Sequence, residues 1–448
     1  VTKTMTVNNH AVRWLWLIMA LALIIRLIFV LIIDPSPSFA GGDTDYLLQN
    51  GLTLINGTAS VSPATGPVYL IFAGIVQIIV GVTHAPLTIR VLNSIMGAAL
   101  CGFIFVLGKR YLNERAGLLA ALLIAVSPMF VIEAGNVLTE SVFLFLLFGG
   151  LALYAVLEDS TPSADHAAQR TRVGILAGVG VLLGLASLTR AVALLLPAVL
   201  VIHLIYRYRQ VGRKSLRVVG GLVVTLLIAY VLTLSTWTIY NLIRWQHFVI
   251  GAEGLAANVY IGTTNWCGPQ CIDQSAGITG QTDNQSAYVQ GAAATISADP
   301  IGYLRHRAEN LIGALLQPYN TVYYPGASIK TIVADWWGHG HMLSGLGRVF
   351  ASDAFWPKLA LYIFHYGALI FGVIGILIGL RRALPNFPLY GTAAYFLAIH
   401  TVLTAIPRYV FVIEPLWYVF AAYALISIAD VLFHERRPAQ LSGVERAL

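Results

Sequence analysis

Apolar runs of about 17–22 residues recur along the chain, each near the length a helix needs to cross a bilayer core. No other feature restricts the fold as strongly. Inside lipid, every backbone N–H and C=O must find its partner within the protein, so only helices and closed barrels span. The period-two alternation over about ten residues that marks a barrel strand is absent. The chain has 448 residues, 58% of them hydrophobic and 10% charged. A soluble domain does not hide that much apolar surface. The sequence therefore predicts an all-α polytopic membrane protein.

Charge sets the topology. The formal net charge is +7, but the basic residues collect in short loops, as they do on the cytoplasmic side of membrane proteins. That distribution explains the charge without a nucleic-acid partner. About ten spans are predicted, over 12–33, 88–108, 116–131, 139–157, 173–189, 190–206, 218–238, 359–380, 386–405 and 409–432. Lys109, Arg110, Arg115, Arg170, Arg172, Arg207, Arg209, Arg381 and Arg436 then fall on one side. Lys3, His10 and Arg13 precede the first run, and Asp34-Pro35 follows it with no small-residue cleavage site. The first run reads as a retained helix, not a signal peptide.

Two places need a decision. Loop 34–65 is external and Lys109-Arg110 internal, so only one crossing fits between them. It is assigned to 88–108, and 66–82 becomes a helix lying along the outer surface, amphipathic or re-entrant. The stretch 173–206 is basic at both ends and crosses twice, with Arg190 at the outer turn. Three parts follow: a transmembrane catalytic module over 1–238 with a first external loop at 34–87, an extracytoplasmic lobe over 239–356, and C-terminal transmembrane helices over 357–448.

The three cysteines do not form a disulfide framework. Cys101 lies inside an apolar run; Cys267 and Cys271 flank a polar turn that a disulfide could close outside the cytoplasm. His339 and His341 lack a third metal ligand nearby.

The ionisable residues that remain gather at the outer boundary: Asp43, Asp45, Arg90, Glu133, Glu140, Arg190, Arg244, Arg305, Arg307 and Arg408. Such groups beside spans are costly and commonly line a cavity or bind a ligand. Arginine forks suit phosphate oxygens, and a positioned carboxylate suits proton abstraction from an acceptor. Bland readings exist for each. Asp43 fits a helix N-cap, Asp45 a first-turn acid, and Arg190 and Arg408 fit headgroup anchors.

Gly42-Asp43-Thr44-Asp45-Tyr46 with Gly51-Leu52 and Asn56-Gly57 resembles the first external loop of GT-C class polyprenyl-phosphate-dependent glycosyltransferases. The similar branch is the protein O-mannosyltransferase and aminoarabinose-transferase-like one. The resemblance continues through Arg26, Arg90-Val91-Leu92-Asn93, Ser127-Pro128 with Leu138-Thr139-Glu140, Leu188-Thr189-Arg190, Trp237-Thr238-Ile239-Tyr240-Asn241 and Pro407-Arg408-Tyr409. Two positions depart from it. Thr65-Gly66-Pro67 stands where the family often has Arg or Lys before the proline, and Tyr240 stands where its signature has Arg.

The resemblance implies a GT-C fold with external juxtamembrane helices and an extracytoplasmic lobe. It implies an inverting glycosyltransferase that moves a sugar from a polyprenyl-phosphate donor to a lipid, glycan or protein acceptor. Asp43, Glu140 and Asp45 are its expected catalytic carboxylates; Arg90, Arg190, Arg408, Arg244 and Tyr46 are the expected substrate and lipid-phosphate ligands. No protein metal site is expected, although Asp43, Asp45 and Glu140 could share a divalent cation such as Mg or Mn. The expected place is a bacterial plasma (inner) membrane, with the site on the extracytoplasmic face. A flippase of lipid-linked sugars, or a lipid-linked glycan ligase or polymerase, is the alternative.

Overall fold

The computed structural model describes residues 9–35, 42–58, 66–159, 166–209, 215–246, 248–251, 254–264, 285–324, 328–338, 347, 349–350, 355–380 and 385–434. Cys267, Cys271, His339 and His341 lie outside these residues. No strand occurs among the described residues. Among the described residues, eight helices are long and apolar enough to cross a membrane, or nine if one bent pair counts as a span.

The chain enters through α1 (Asn9–Ile28), which closes with a π-helical turn at Phe29–Ile33. Two helices then form a hairpin outside the spans: α2 (Asp43–Asn56) and α3 (Pro67–Val80). Gly51 lets them touch, because a Cβ there would lie 2.7 Å from the Leu70 carbonyl oxygen. At 14 residues, α3 is about 21 Å long, too short for a core of about 30 Å. The segment set aside by charge is thus a short helix packed on α2.

The next span, α4 (Ala85–Tyr111), ends on Lys109 and Arg110. The expected span at 116–131 is instead two helices, α5 (Glu114–Val126) and α6 (Pro128–Gly135), bent by 53°. Proline explains the break. Pro128 has no N–H to give the Ile124 carbonyl, and its ring crowds the preceding turn. Arg26 supplies the missing donors. It is fully buried and donates through Nη2 to Ile124 O at 3.1 Å and through Nη1 to Ala125 O at 3.1 Å. Arg26→Met strands both carbonyls in an apolar setting, at about 1–3 kcal/mol each. The expected result is a thermal unfolding midpoint several degrees lower in detergent; an unchanged midpoint would contradict this role.

The chain then crosses in α7 (Glu140–Asp159), α8 (His166–Thr189) and α9 (Pro197–Arg209). Arg190 sits in extended conformation between α8 and a short 3-10 turn at Ala191–Ala193. The double crossing expected for 173–206 is therefore present. At the opposite end of the bundle, Glu158 is buried. Arg110, His203 and Arg207 from α4 and α9 surround its carboxylate at 3.5, 2.9 and 3.6 Å. This ionic knot joins the acidic end of α7 to the basic ends of α4 and α9.

The long helix α10 (Ser215–Trp245) runs on through the expected module border at 238. Beyond it lie α11 (Gly254–Thr264), α12 (Gln285–Ala298), α13 (Pro300–Leu316) and α14 (Ile329–Gly338). Asp299 caps α13, accepting from Gly302 N at 2.9 Å, with Pro300 in the first turn as its fixed φ allows. Three further helices follow: α15 (Phe355–Gly379), α16 (Phe387–Val402) and α17 (Pro407–Val410). The chain then runs through a 3-10 turn into α18 (Glu414–His434). The expected span at 386–405 is thus the 16-residue α16. α15 lays Gly372 and Gly375 directly against Trp417 and Phe420 of α18, the small-residue contact by which helices close in lipid.

Candidate active site

Four side chains from four distant parts of the chain meet at one end of the bundle. Gly42, at φ 59°, is in the left-handed region that glycine tolerates; it takes the cap position of α2. Asp43 is therefore a first-turn residue, and α2 has no side-chain cap bond. Its carboxylate is 68% exposed and accepts from Arg408 Nη1. Arg408, on the four-residue α17, also donates through Nε to Glu140. Glu140 opens α7 with only 2% exposure, and accepts from Arg190 Nη1 at 2.7 Å. The Arg190 guanidinium stands 5.2 Å from the Tyr409 ring centre and 5.7 Å from that of Phe143, within cation–π range.

The electrostatics are layered. A buried carboxylate fixes two arginines from below, and an exposed carboxylate touches one of them from the water side. In such a low-dielectric setting the charge-assisted bonds are strong and directional. Arg190 has no partner among the described residues at Nε and Nη2, so a donor edge remains.

Backbone fastening holds Arg408 in place. Arg307 of α13 is fully buried. Its Nε donates to Thr401 O at 2.9 Å, its Nη1 to Gly262 O at 2.8 Å, and its Nη2 to Leu403 O. The Thr401 and Leu403 carbonyls lie at the end of α16, just before Pro407-Arg408, so one arginine caps the helix end that presents another and ties it to Gly262 of α11.

Not every expected ligand joins the cluster. Arg90 is fully buried and pairs with Asp34 at 2.8 Å, also donating to the Asp34 carbonyl at 2.6 Å. Tyr323 donates to the same Asp34 carboxylate. Arg90 thus ties α4 to the end of α1. Arg244 is exposed and donates to Gly57 O at 3.3 Å, at the C-terminus of α2. Asp45 and Tyr46 are exposed on α2. The position expected to hold Arg is Tyr240, which stacks on Trp237 with ring centres 5.2 Å apart and planes within 8°.

Three residues beside the cluster were not among the expected site residues, although Glu133 had been placed at the outer boundary. Glu133 of α6 is 3% exposed and accepts from Asn136 Nδ2 at 2.9 Å. Glu133 and Glu140 are the only acidic residues between Glu114 and Glu158, which was a usable signal. Tyr319 lies beside Glu133. Burial pushes its phenol well above its usual range, and Glu133 and Glu140 push the same way. Tyr69 of α3 is fully buried, and burial followed by Glu140 and Glu133 raises it likewise. Both phenols stay neutral donors. Asn320 pins the Tyr319 segment in place: it accepts from Asn136 Nδ2 at 3.1 Å and donates to Met129 O at 3.2 Å.

A cavity of about 370 Å³ opens between α2, α3, α8 and α10. Its walls are mostly apolar and include Ile55, Val68, Ile71, Leu188, Trp237 and Tyr240. Leu188 of this lining lies two residues before Arg190 in the chain. No group of three His, Cys, Asp or Glu side chains is placed to hold a metal ion among the described residues.

These features define a class: a helical membrane protein with the GT-C fold of membrane glycosyltransferases. Residues 63–243 match the family described as dolichyl-phosphate-mannose-protein mannosyltransferase. The apo oligosaccharyltransferase of Archaeoglobus fulgidus overlays 94% of this chain and 51% of its own, at 15% identity and a TM-score of 0.56. The same organism's AglB, bound to an inhibitory peptide and dolichol-phosphate, overlays 96% and 52%, at 16% identity and a TM-score of 0.53. ArnT from Cupriavidus metallidurans, bound to undecaprenyl phosphate, overlays 93% and 79% at 16% identity and a TM-score of 0.41. No curated protein sequence matches the chain. The chain spans about half the length of the oligosaccharyltransferase structures it matches.

Proposed function

We propose that the protein is an inverting glycosyltransferase that moves a sugar from a polyprenyl-phosphate donor to an acceptor on the extracytoplasmic face of a bacterial plasma membrane. The observation that carries this reading is Arg408, which bridges the exposed Asp43 and the buried Glu140. Arg408 and Arg190 hold the donor phosphate. Asp43 removes the proton from the acceptor nucleophile as it attacks the anomeric carbon. The bond from that carbon to the phosphate oxygen breaks, and polyprenyl phosphate leaves with the electron pair. The two arginines stabilise the charge that grows on this phosphate, and preorganised charges of that kind supply much of a rate enhancement. Glu140 keeps both guanidiniums in place and has too little exposure to meet substrate. The basic helix ends at the opposite pole, with Lys109, Arg110, Arg207 and Arg209, support the assignment of faces. Helices α11 to α14 then form the lobe that shapes acceptor access. We assign no metal to this mechanism.

The apolar cavity is suited to the first isoprene units of the donor. Val68→Trp fills it. The expected result is a KM for long-chain donor raised at least about tenfold, or ~1.4 kcal/mol, the loss of roughly two buried methylene groups. Donors with one short isoprenoid should respond much less. Equal sensitivity of both would remove the cavity from the prenyl path. Donors carrying one sugar or several, tested side by side, separate a monosaccharide transferase from an oligosaccharide ligase. A flippase has no observation in its favour, because the charged cluster lies at one end of the bundle.

A further inference from the structure

Behind the cluster lies a second, small cavity, bounded by α1, α4, α6 and α7. Arg26, Asn93, Gly97, Glu133 and Ser141 supply its polar and open wall, and Leu100, Phe130 and Leu144 part of its apolar wall. Only about 10 Å³ is open to the centre of a water-sized sphere, close to the room of one molecule, about 10–15 Å³.

Three lining residues each carry a buried polar atom without a hydrogen-bond partner: Arg26 Nε, Asn93 Oδ1 and Glu133 Oε1. The other polar atoms of these side chains are engaged. Arg26 spends its Nη atoms on carbonyls of α1 and α5. Asn93 Nδ2 donates to Asn136 O at 2.8 Å. Glu133 Oε2 accepts from Asn136 Nδ2 at 2.9 Å. One donor and two acceptors on residues that line this small space are left unpaired. Unpaired, each costs about 1–3 kcal/mol. A water offers the complement, since it can accept once and donate twice, and buried waters typically make about three hydrogen bonds.

We propose that this cavity holds one ordered water, which accepts from Arg26 Nε–H and donates to Asn93 Oδ1 and Glu133 Oε1. Gly97 makes the room: a Cβ at this position would lie 2.7 Å from Arg26 Nε. The water is the polar joint between the first span and the catalytic end. Through Glu133 it steadies Asn136, and through Asn136 the Asn320 segment that sets Tyr319 beside the site. Arg26, Asn93 and Glu133 are thereby positioning residues for the proposed transfer. That last step rests on the glycosyltransferase reading; the water itself does not.

The test is a map of the whole protein in lipid nanodiscs, at a resolution that shows ordered water, for wild type and Gly97→Ala. The expected result is one peak within hydrogen-bond distance of all three atoms in wild type and none in Gly97→Ala. An empty wild-type cavity, or three atoms paired directly with one another, overturns the water. Donor kinetics on the folded fraction test the positioning role. Gly97→Ala should lower kcat about tenfold with the donor KM within about twofold of wild type. A lower unfolding temperature with unchanged kcat reduces the water to a structural filler and overturns the positioning role. No turnover in either protein, with the peak present, instead overturns the glycosyltransferase reading alone.

Discussion

Asp43→Asn is expected to remove about 10²–10⁴-fold of sugar transfer, the usual range for a positioned general base, while strengthening the hold on polyprenyl phosphate. Both effects come from one contact. Arg408 Nη1 is bound to the Asp43 carboxylate, so donor phosphate and Asp43 compete for the same guanidinium. An amide at position 43 is isosteric, but its neutral oxygen is a weaker acceptor. The phosphate then meets less competition, and binding of the product polyprenyl phosphate should tighten several-fold. On the proposed mechanism, the arriving phosphate draws Arg408 away in the wild type and frees Asp43, so the base becomes competent when donor is present. Transfer kinetics and titration with polyprenyl phosphate check the pair of effects. Weaker phosphate binding in Asp43→Asn would sink the competition, whatever happens to turnover.

Arg408→Gln should be more damaging, because it removes the bridge itself. Glu140 is 2% exposed and would keep only Arg190. Breaking one partner out of a buried ion pair typically costs about 3–5 kcal/mol. The expected outcome is loss of transfer, donor affinity at least tenfold weaker, and a lower unfolding temperature. Glu140→Gln in the same background should recover part of the stability, because it removes the stranded charge, but none of the activity. Recovery of activity in that double variant would mean that Arg408 serves only the fold.

Much of this architecture was legible because the bilayer leaves few choices. The basic loops forced 66–82 out of the span count, and α3 is indeed a short helix packed on α2. The same logic placed Arg190 at a turn between two crossings. Asp43, Glu140, Arg190 and Arg408 were each singled out for their charge beside apolar runs, and the fold brings those four together.

Other arginines could not be sorted by that argument. Arg26 serves carbonyls 98 and 99 residues away. Arg90 meets Asp34, and Arg307 closes a helix end more than ninety residues on. A guanidinium that caps backbone and one that waits for phosphate look alike in a sequence; only the distant partner separates them. The break at Pro128 was hidden because the run over 116–131 is apolar on both sides of it. Its partner donor sits on another helix. Tyr319 was hidden for a related reason. Its place beside Glu133 depends on Asn320, which adopts φ 66° and bonds across the fold to Asn136 and Met129.

The most direct test of the account is transfer of labelled sugar from a panel of polyprenyl-phosphate donors by the purified protein in nanodiscs. Asp43→Asn is run beside it, and donor binding is measured in both. The account predicts turnover of at least one donor by the wild type, and donor binding without turnover by the variant. Turnover by Asp43→Asn at the wild-type rate would contradict the central claim that this carboxylate, released by Arg408, is the base.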